Sequence, residues 1–247
     1  TLAKLMGVTD RTVRAAITDL VAERVVRDPE EAARRLADPA GRLMAALERR
    51  ADADFAFMGL CHIPFAMLAG HLASDRQPVG LYDYHPTVSN TWVWPDDASA
   101  PFPDISATGT EALTSSAREV ILTVSTSYAV NGDAARAVTL GGTPVIDLTV
   151  ASPERGLVRS AAQVSAYGRT FRRVVDLIAT RSPRCQVIHV CYAGPMALAF
   201  HVGQLISENI HPPVVAWNYR QSEGYEWGIH LSAARRRLPS LVRPPSH

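Results

Sequence analysis

The sequence VIHVCYAGPMALAFHVGQL, residues 187 to 205, decides the fold. Its first part is an apolar run with several β-branched side chains, which is typical of a buried strand. Apolar residues then recur at helical spacing, so a helix follows after a sharp joint. Pro195 is expected at the first helical position, where its missing N–H would have had no partner. Gly194 allows the backbone to approach closely whatever lies in front of the joint.

In an α/β sheet, a strand-to-helix joint of this kind is where ligands bind. The free N–H groups of the helix and the positive end of its dipole lie at the carboxyl end of the strand, and both favour phosphate or another anion. We therefore predict ligand contacts from the four residues of this joint: Tyr192, Ala193, Gly194 and Pro195.

A similar arrangement occurs earlier in the chain. Residues 57 to 94 and residues 188 to 227 share an order of elements: an apolar strand, a joint with a proline, an Ala/Leu/Met-rich helix, and a second strand that ends in aromatic residues. The repeat predicts two related α/β lobes, at an offset of about 130 residues. We add the first joint to the predicted ligand contacts: His62, Ile63, Pro64 and Phe65.

A third polar strand end lies in the second lobe. The apolar run EVILTVSTS, which begins at Glu119, passes into residues with hydroxyl groups that can hold phosphate or ribose. An aromatic ring at the same edge of the sheet can stack on a base, a contact worth about 1–3 kcal/mol, and Tyr128 and Tyr192 are placed for it. This strand end therefore adds four predicted ligand contacts: Ser125, Thr126, Ser127 and Tyr128.

The alternation of strands and helices predicts an α/β fold of two fused Rossmann-like lobes with mostly parallel sheets. Residues 1 to 44 are expected to form a small helical segment, followed by the first lobe to about residue 95. The next stretch is rich in Pro, Ser, Thr and Asp without periodicity, which indicates a surface connector. The expected ranges are 45 to 95 for the first lobe, 96 to 117 for the connector, 118 to 232 for the second lobe and 233 to 247 for a basic tail.

The first 27 residues fit a helix-turn-helix. Ala3, Gly7 and Val13 fall at the offsets where this motif needs a small residue, a turn glycine and a core aliphatic. The motif would place three side chains in the DNA major groove: Arg11, Thr12 and Arg14. The alternative is a helical hairpin that packs against the lobes or joins them to an effector.

The composition bounds the function. With 25 basic and 24 acidic residues the net charge is +1, so nothing requires nucleic acid as a partner. The three cysteines lack the CxxC spacing of a zinc site and are expected to be reduced core thiols of a cytoplasmic protein. No apolar run approaches the roughly eighteen residues of a membrane span, and we expect neither a membrane partner nor a bound metal.

No catalytic motif is present. The sequence lacks a Walker A run, a GxSxG elbow, an HExxH helix and a calcium loop. Cys61 and His62 are adjacent, but neighbours on a strand point to opposite faces. His189 lies within the apolar run and is expected to be a hydrogen-bonded core residue. We therefore expect no enzyme activity and no cofactor; the open alternative is a ring nuclease that would use His62 or the Ser/Thr strand end.

The motifs together resemble the SAVED sensor family. The resemblance rests on HIPFAMLAGHL in the first lobe, on EVILTVSTS, and above all on IHVCYAGPMALAFHVGQL followed by HPPVVAWNY. It covers roughly residues 45 to 232, within a SAVED-like sensor region expected over 45 to 247. Members of the family are similar to two fused CARF-type Rossmann-like halves.

The resemblance implies a sensor that binds a cyclic oligonucleotide second messenger, such as cyclic tri- or tetra-adenylate, in the bacterial anti-phage systems CBASS and type III CRISPR. The ligand would lie across both halves, and binding would switch an effector domain or a partner protein, often through assembly into a homo-oligomer. A ligand-controlled helix-turn-helix regulator on DNA is an alternative. By position, the resemblance points to His62, Ile63, Pro64, Ser125, Thr126, Tyr192, Ala193, Gly194 and Pro195.

Overall fold

The computed structural model describes residues 18 to 22, 25 to 49, 55 to 85 and 92 to 246. Residues 1 to 17 of the predicted helix-turn-helix lie outside these ranges, and with them its predicted DNA contacts, Arg11, Thr12 and Arg14. DNA binding by this segment therefore stays a prediction.

The described residues form short N-terminal elements followed by alternating strands and helices. The N-terminal elements are β1 (Val21–Ala22), β2 (Val25–Val26), α1 (Pro29–Leu36) and α2 (Arg42–Arg49). The first predicted lobe contains β3 (Phe55–Met58), α3 (Ile63–Ala73) and β4 (Val79–Tyr82). The remaining elements are β5 (Ile105–Thr108), β6 (Glu119–Ser125), α4 (Gly132–Arg136), β7 (Val145–Val150), α5 (Ala161–Arg181), β8 (Val187–Ala193), α6 (Met196–Gln204), β9 (Val214–Arg220), β10 (Gly224–His230), α7 (Leu231–Arg235) and β11 (Leu241–Val242).

The main sheet has seven strands in the order β11-β10-β9-β8-β6-β7-β5. Its four central strands, β9, β8, β6 and β7, run parallel, while β10, β11 and β5 pair antiparallel at the two sides. The sheet is therefore mixed but parallel at its centre, which confirms the predicted α/β class. Central parallel strands are covered on both faces, and the interior of β8 is accordingly buried.

The joint after β8 differs from its prediction by one residue. The helix α6 begins at Met196, and Pro195 is its N-cap, with an extended ψ of 156°. The N-cap residue keeps non-helical dihedral angles, so Pro195 lies just before the helix rather than at its first position. In the first joint the helix α3 begins at Ile63 and has Pro64 in its first turn.

The strands β3 and β4 form a separate, two-stranded parallel sheet that is not hydrogen-bonded to the main one. Its helix, α3, crosses α6 at very short range. A Cβ on Gly70 would collide with the carbonyl oxygen of Phe200, and a Cβ on Gly203 would collide with that of Met67. Each helix thus contributes a glycine at the crossing. This reciprocal contact supports the two-lobe interpretation, which stays a prediction.

Two segments predicted to lie outside the sheet belong to it. The predicted connector contains β5, which pairs with β7, and the predicted tail contains β11, which pairs with β10. Both are short edge strands with half-buried residues, so they carry little hydrophobic pattern. The tail is also held by Glu30, whose carboxylate accepts hydrogen bonds of 2.6 Å from the N–H groups of Ser240 and Leu241.

Among the described residues, no helix has the length and apolarity needed to cross a bilayer.

We predict that Gly70→Ala and Gly203→Ala each destabilise the protein, because the added methyl group forces apart two backbones. Overpacking of this kind typically costs about 1–3 kcal/mol in the free energy of unfolding, which urea titration measures. Gly132→Ala is the control, since an added Cβ there meets nothing within 4 Å. Equal stability of the three variants would contradict the close crossing.

Candidate functional site

The second joint and the polar strand end of β6 form one cluster. Ser125 at the end of β6 lies opposite Ala193 at the end of β8. The backbone N–H groups of Thr126 and Ser127 both donate to the carbonyl oxygen of Ala193, at 3.0 and 2.9 Å. Because parallel strands end at the same edge of a sheet, the structure brings together two sets of residues that lie far apart in sequence.

Gly194 permits the closest approach in this cluster. A Cβ at this position would collide with Oγ1 of Thr126 and lie 2.6 Å from the hydroxyl oxygen of Tyr192. Thr126 is completely buried, and its hydroxyl has no hydrogen-bond partner in the part of the chain that the structure describes. A buried polar group without a partner is unfavourable, so this hydroxyl is the group in the cluster whose hydrogen bonding is incomplete.

Other predicted contact residues already form hydrogen bonds within the protein. The Tyr192 hydroxyl donates to the carbonyl oxygen of Pro195 at 2.8 Å, and its ring is buried. The Ser125 hydroxyl accepts from the N–H of Val130 at 3.0 Å. Of the two tyrosines predicted to stack on a base, Tyr128 alone is exposed, with 60% of its surface accessible. We expect Tyr192 to support the joint rather than to stack.

A carboxylate that the sequence analysis did not identify, Asp83, lies at the N-terminus of α6. It follows the last residue of β4 and interacts with the backbone N–H groups of Tyr84 and of Met196, the first residue of α6. Burial raises the pKa of Asp83 to about 6, against the opposing effect of these two N–H groups. The position that an anion would take at this helix end is therefore already held by a carboxylate.

This carboxylate changes what the second joint can bind. Two unit negative charges about 4 Å apart repel each other by about 4 kcal/mol at an effective dielectric constant of about 20. A helix N-terminus offers an anion at most about 2 kcal/mol. The repulsion is the larger effect, so we expect no phosphate at the N-terminus of α6 while Asp83 is charged.

The first joint faces the carboxyl end of β9. Nδ1 of His62 lies 3.0 Å from Oδ1 of Asn218, and the His62 ring lies 6.1 Å from the indole of Trp227. Phe65 is buried and packs on the same indole, at 5.5 Å between ring centroids. Pro64 is also buried, and it has no N–H to offer a ligand. His62 is thus the residue of this joint that faces the adjoining cavity.

A cavity of about 170 Å³ adjoins the first joint. This volume is below the roughly 300–1,000 Å³ of typical ligand pockets, so the cavity can hold one part of a larger ligand. Arg220 and Glu226 form an ion pair of 3.1 Å in its wall. The lining residues are Val25, Val26, His62, Asn218, Tyr219, Arg220, Glu226 and Trp227.

Asp83 and Asn218 make equivalent contacts in the two predicted lobes. Asp83 follows β4 and reaches the N-terminus of α6, whereas Asn218 lies near the end of β9 and reaches His62 at the N-terminus of α3. The second strand of each predicted lobe therefore supplies a polar side chain to the helix end of the other. The sequence contains this signal, because both residues stand at the same place in the repeat, between two aromatic residues.

The described residues hold no evident catalytic arrangement. Burial raises the pKa of Cys61 and Cys191 to about 12, so neither thiol provides a thiolate at neutral pH. Nδ1 of His189 accepts the indole N–H of Trp217 at 3.1 Å, which confirms its predicted role in the core. Within the described ranges, no three His, Cys, Asp or Glu side chains converge to hold a metal ion.

We predict that Asp83→Asn stabilises the ligand-free protein above about pH 6. In the wild type the pKa of Asp83 is raised from 3.8. The contribution of the protonated carboxyl group to the free energy of unfolding is therefore fully present below about pH 4 and is lost as the pH rises through about 6. The amide removes the buried charge and should add up to about 3 kcal/mol to the free energy of unfolding at pH 7.5, with no gain near pH 4. Urea titration at the two pH values measures this difference. A variant less stable than the wild type at pH 7.5 would contradict the account.

The comparisons with known proteins concern both sequence and fold. The model of the family "SMODS-associated and fused to various effectors sensor domain", SAVED, matches residues 40 to 231. The fold is similar to the Cap4 SAVED/CARF-domain containing receptor of Acinetobacter baumannii with the cyclic trinucleotide 3'3'3'-cAAA, at a TM-score of 0.60 and 11% identity, over 85% of this chain and 46% of that chain. The Moraxella osloensis Cap4 receptor gives a TM-score of 0.54 and 13% identity, over 85% and 44%.

No curated protein sequence matches this chain. The chain spans less than half the length of the two Cap4 receptors, whose likeness shows a shared fold. The family model, in contrast, extends from α2 to the start of α7 and includes both joints and the strand end of β6. This chain therefore belongs to the SAVED family of sensor domains.

Proposed function

We propose that this chain is a sensor that binds a cyclic oligonucleotide second messenger in bacterial anti-phage defence. The observation that carries the proposal is the packing of Gly194 against the buried, unpartnered hydroxyl of Thr126. It lies at the carboxyl ends of two central parallel strands, where α/β sheets bind ligands. Membership of the SAVED family, and the likeness to a receptor whose structure holds 3'3'3'-cAAA, support the same ligand class.

The ligand is proposed to contact both joints. A cyclic trinucleotide is larger than the cavity beside His62, so a single base or sugar fills that cavity and the rest extends over the neighbouring strand ends. Val25 and Val26 of the β1–β2 hairpin line the same cavity. A ligand that fills it therefore touches the N-terminal segment directly, which gives binding a route to an effector domain or partner protein.

The sensor is proposed to act without catalysis, by changing its assembly. Binding would drive copies of the chain together, or switch an effector, in a CBASS or type III CRISPR system. In support of this, burial raises the pKa of the Cys61 and Cys191 thiols to about 12, so neither provides a thiolate nucleophile at neutral pH.

Incubation with cyclic di-, tri- and tetranucleotides, including 3'3'3'-cAAA, should identify at least one ligand that raises the melting temperature. At 100 times its dissociation constant a ligand stabilises the fold by about 2.7 kcal/mol. Mass spectrometry should recover the ligand intact, and size-exclusion chromatography should show a larger particle. A melting temperature unchanged by every cyclic nucleotide would contradict the proposal, and recovery of a linear product would contradict the absence of catalysis.

Thr126→Val should separate ligand binding from stability. The substitution removes a hydroxyl that lacks a partner, so the free energy of unfolding should stay unchanged or rise by about 1 kcal/mol, while ligand affinity falls. The control is Thr123→Val within β6, the strand that ends just before Thr126; the Thr123 hydroxyl donates to Asp147 at 2.6 Å, and its loss should lower stability. Calorimetric titration and urea unfolding measure the two quantities. Wild-type affinity in Thr126→Val would remove this hydroxyl from the site.

A further inference from the structure

We infer that the Asp83 carboxylate selects which part of the ligand enters the second joint: it accepts a hydrogen-bond donor, either the exocyclic amino group of a base or a ribose hydroxyl, and excludes phosphate. The inference rests on the proposed function, because it concerns the orientation of the proposed cyclic oligonucleotide. It assigns a specificity-determining role to a residue outside both predicted joints.

The geometry places several polar groups along one short segment, from Gly194 to Met196. Asp83 interacts with the N–H of Met196, and the N-cap Pro195 and the closely packed Gly194 come directly before that residue. The hydroxyl of Thr126 is completely buried, has no partner in the described part of the chain, and is the nearest side-chain atom to a Cβ built on Gly194. A carboxylate that accepts and a hydroxyl that both donates and accepts suit a ligand edge that presents an N–H or O–H group.

The carboxylate still has unused capacity to accept hydrogen bonds. An ionised carboxylate accepts about four hydrogen bonds, whereas Asp83 interacts with two backbone N–H groups. No ion pair joins it to a cation within the described ranges, and burial raises its pKa to about 6. Burial, and after it the charge of Asp83, raises the pKa of Tyr192, whose hydroxyl already donates to Pro195. A donor from the ligand would supply a hydrogen bond that the protein does not provide to this carboxylate, whereas a phosphate would add a second negative charge.

The two helix ends differ in charge, and this difference gives the ligand one orientation. At the N-terminus of α3 the corresponding residue is the neutral Asn218, which is tied to His62, and the wall of the cavity beside them holds Arg220 paired with Glu226, two side chains that together carry no net charge. At the N-terminus of α6 the residue is the acidic Asp83. Phosphate is therefore expected on the side of Asn218 and Arg220, and a base or sugar edge on the side of Asp83.

Three probes test the inference by calorimetric titration: 3'3'3'-cAAA, its purine analogue, in which hydrogen replaces each exocyclic amino group, and its 2'-deoxy analogue. The wild type should bind 3'3'3'-cAAA at least about tenfold more tightly than the analogue that lacks the donor, because a buried acceptor is then left unpaired. A weak purine analogue identifies the base as the source of the donor, and a weak deoxy analogue identifies the ribose.

Asp83→Asn should bind 3'3'3'-cAAA at least about tenfold more weakly and lose the preference for the donor-bearing probe, because the amide offers N–H groups where the carboxylate offered only acceptors. Asp75→Asn is the matched control, since it makes the same change in an exposed residue before β4, at the opposite end of that strand. It should bind all three probes like the wild type.

Two results would overturn the inference alone: equal affinity of the wild type for the three probes, or unchanged or tighter binding of 3'3'3'-cAAA by Asp83→Asn, the latter indicating a phosphate at the helix end. The wild-type comparison needs no variant, so it holds even if Asp83→Asn fails to fold. Failure of the wild type to bind any cyclic oligonucleotide would instead overturn the proposed function, and the inference with it.

Discussion

The close crossing of helices α3 and α6, at Gly70 and Gly203, is the constraint on which the rest of the structure depends. Each glycine lies against a main-chain carbonyl group of the other helix, so the two backbones touch without intervening side chains. Both joints are the N-termini of these helices, and their relative position is therefore set by backbone packing. The contacts of Asp83 with α6 and of Asn218 with His62 then cross from one half to the other. A rigid crossing of this kind preorganises a site, because little ordering remains to be done when a ligand binds.

Much of the fold could be predicted from patterns that report burial. The apolar run at residues 187 to 193 and the periodicity after it predict β8 and α6, and the repeat predicts β3, α3 and β4. The edge strands β5 and β11 were not predicted, because their side chains are only half-buried or exposed and give little hydrophobic pattern. Backbone hydrogen bonds to the neighbouring strands determine where they lie. For β11 the carboxylate of Glu30 adds two more bonds from a helix about 200 residues away in sequence, a tertiary contact that no local pattern encodes.

The candidate site shows the same division between local and tertiary information. The grouping of Thr126 with Gly194 could be predicted, because it follows from the rule that parallel strands end at one edge. The charge at the α6 helix end was missed, because Asp83 comes from another part of the fold. Its place in the repeat matches that of Asn218, but this match shows where Asp83 reaches only once the contact between the two predicted lobes is known. Tyr192 illustrates a further ambiguity. A tyrosine inside an apolar run suits both a stacking platform and a core position, and the structure buries it.

The polarity of the two joints leads to the central claim, that one helix end receives a donor group of the ligand and the other lies near its phosphates. The most direct measurement is a crystal structure of this chain with 3'3'3'-cAAA. The account predicts an amino or ribose hydroxyl group within hydrogen-bond distance of the Asp83 carboxylate, and phosphates on the side of Asn218 and Arg220. A phosphate bound to the N–H of Met196, with Asp83 displaced, would contradict it.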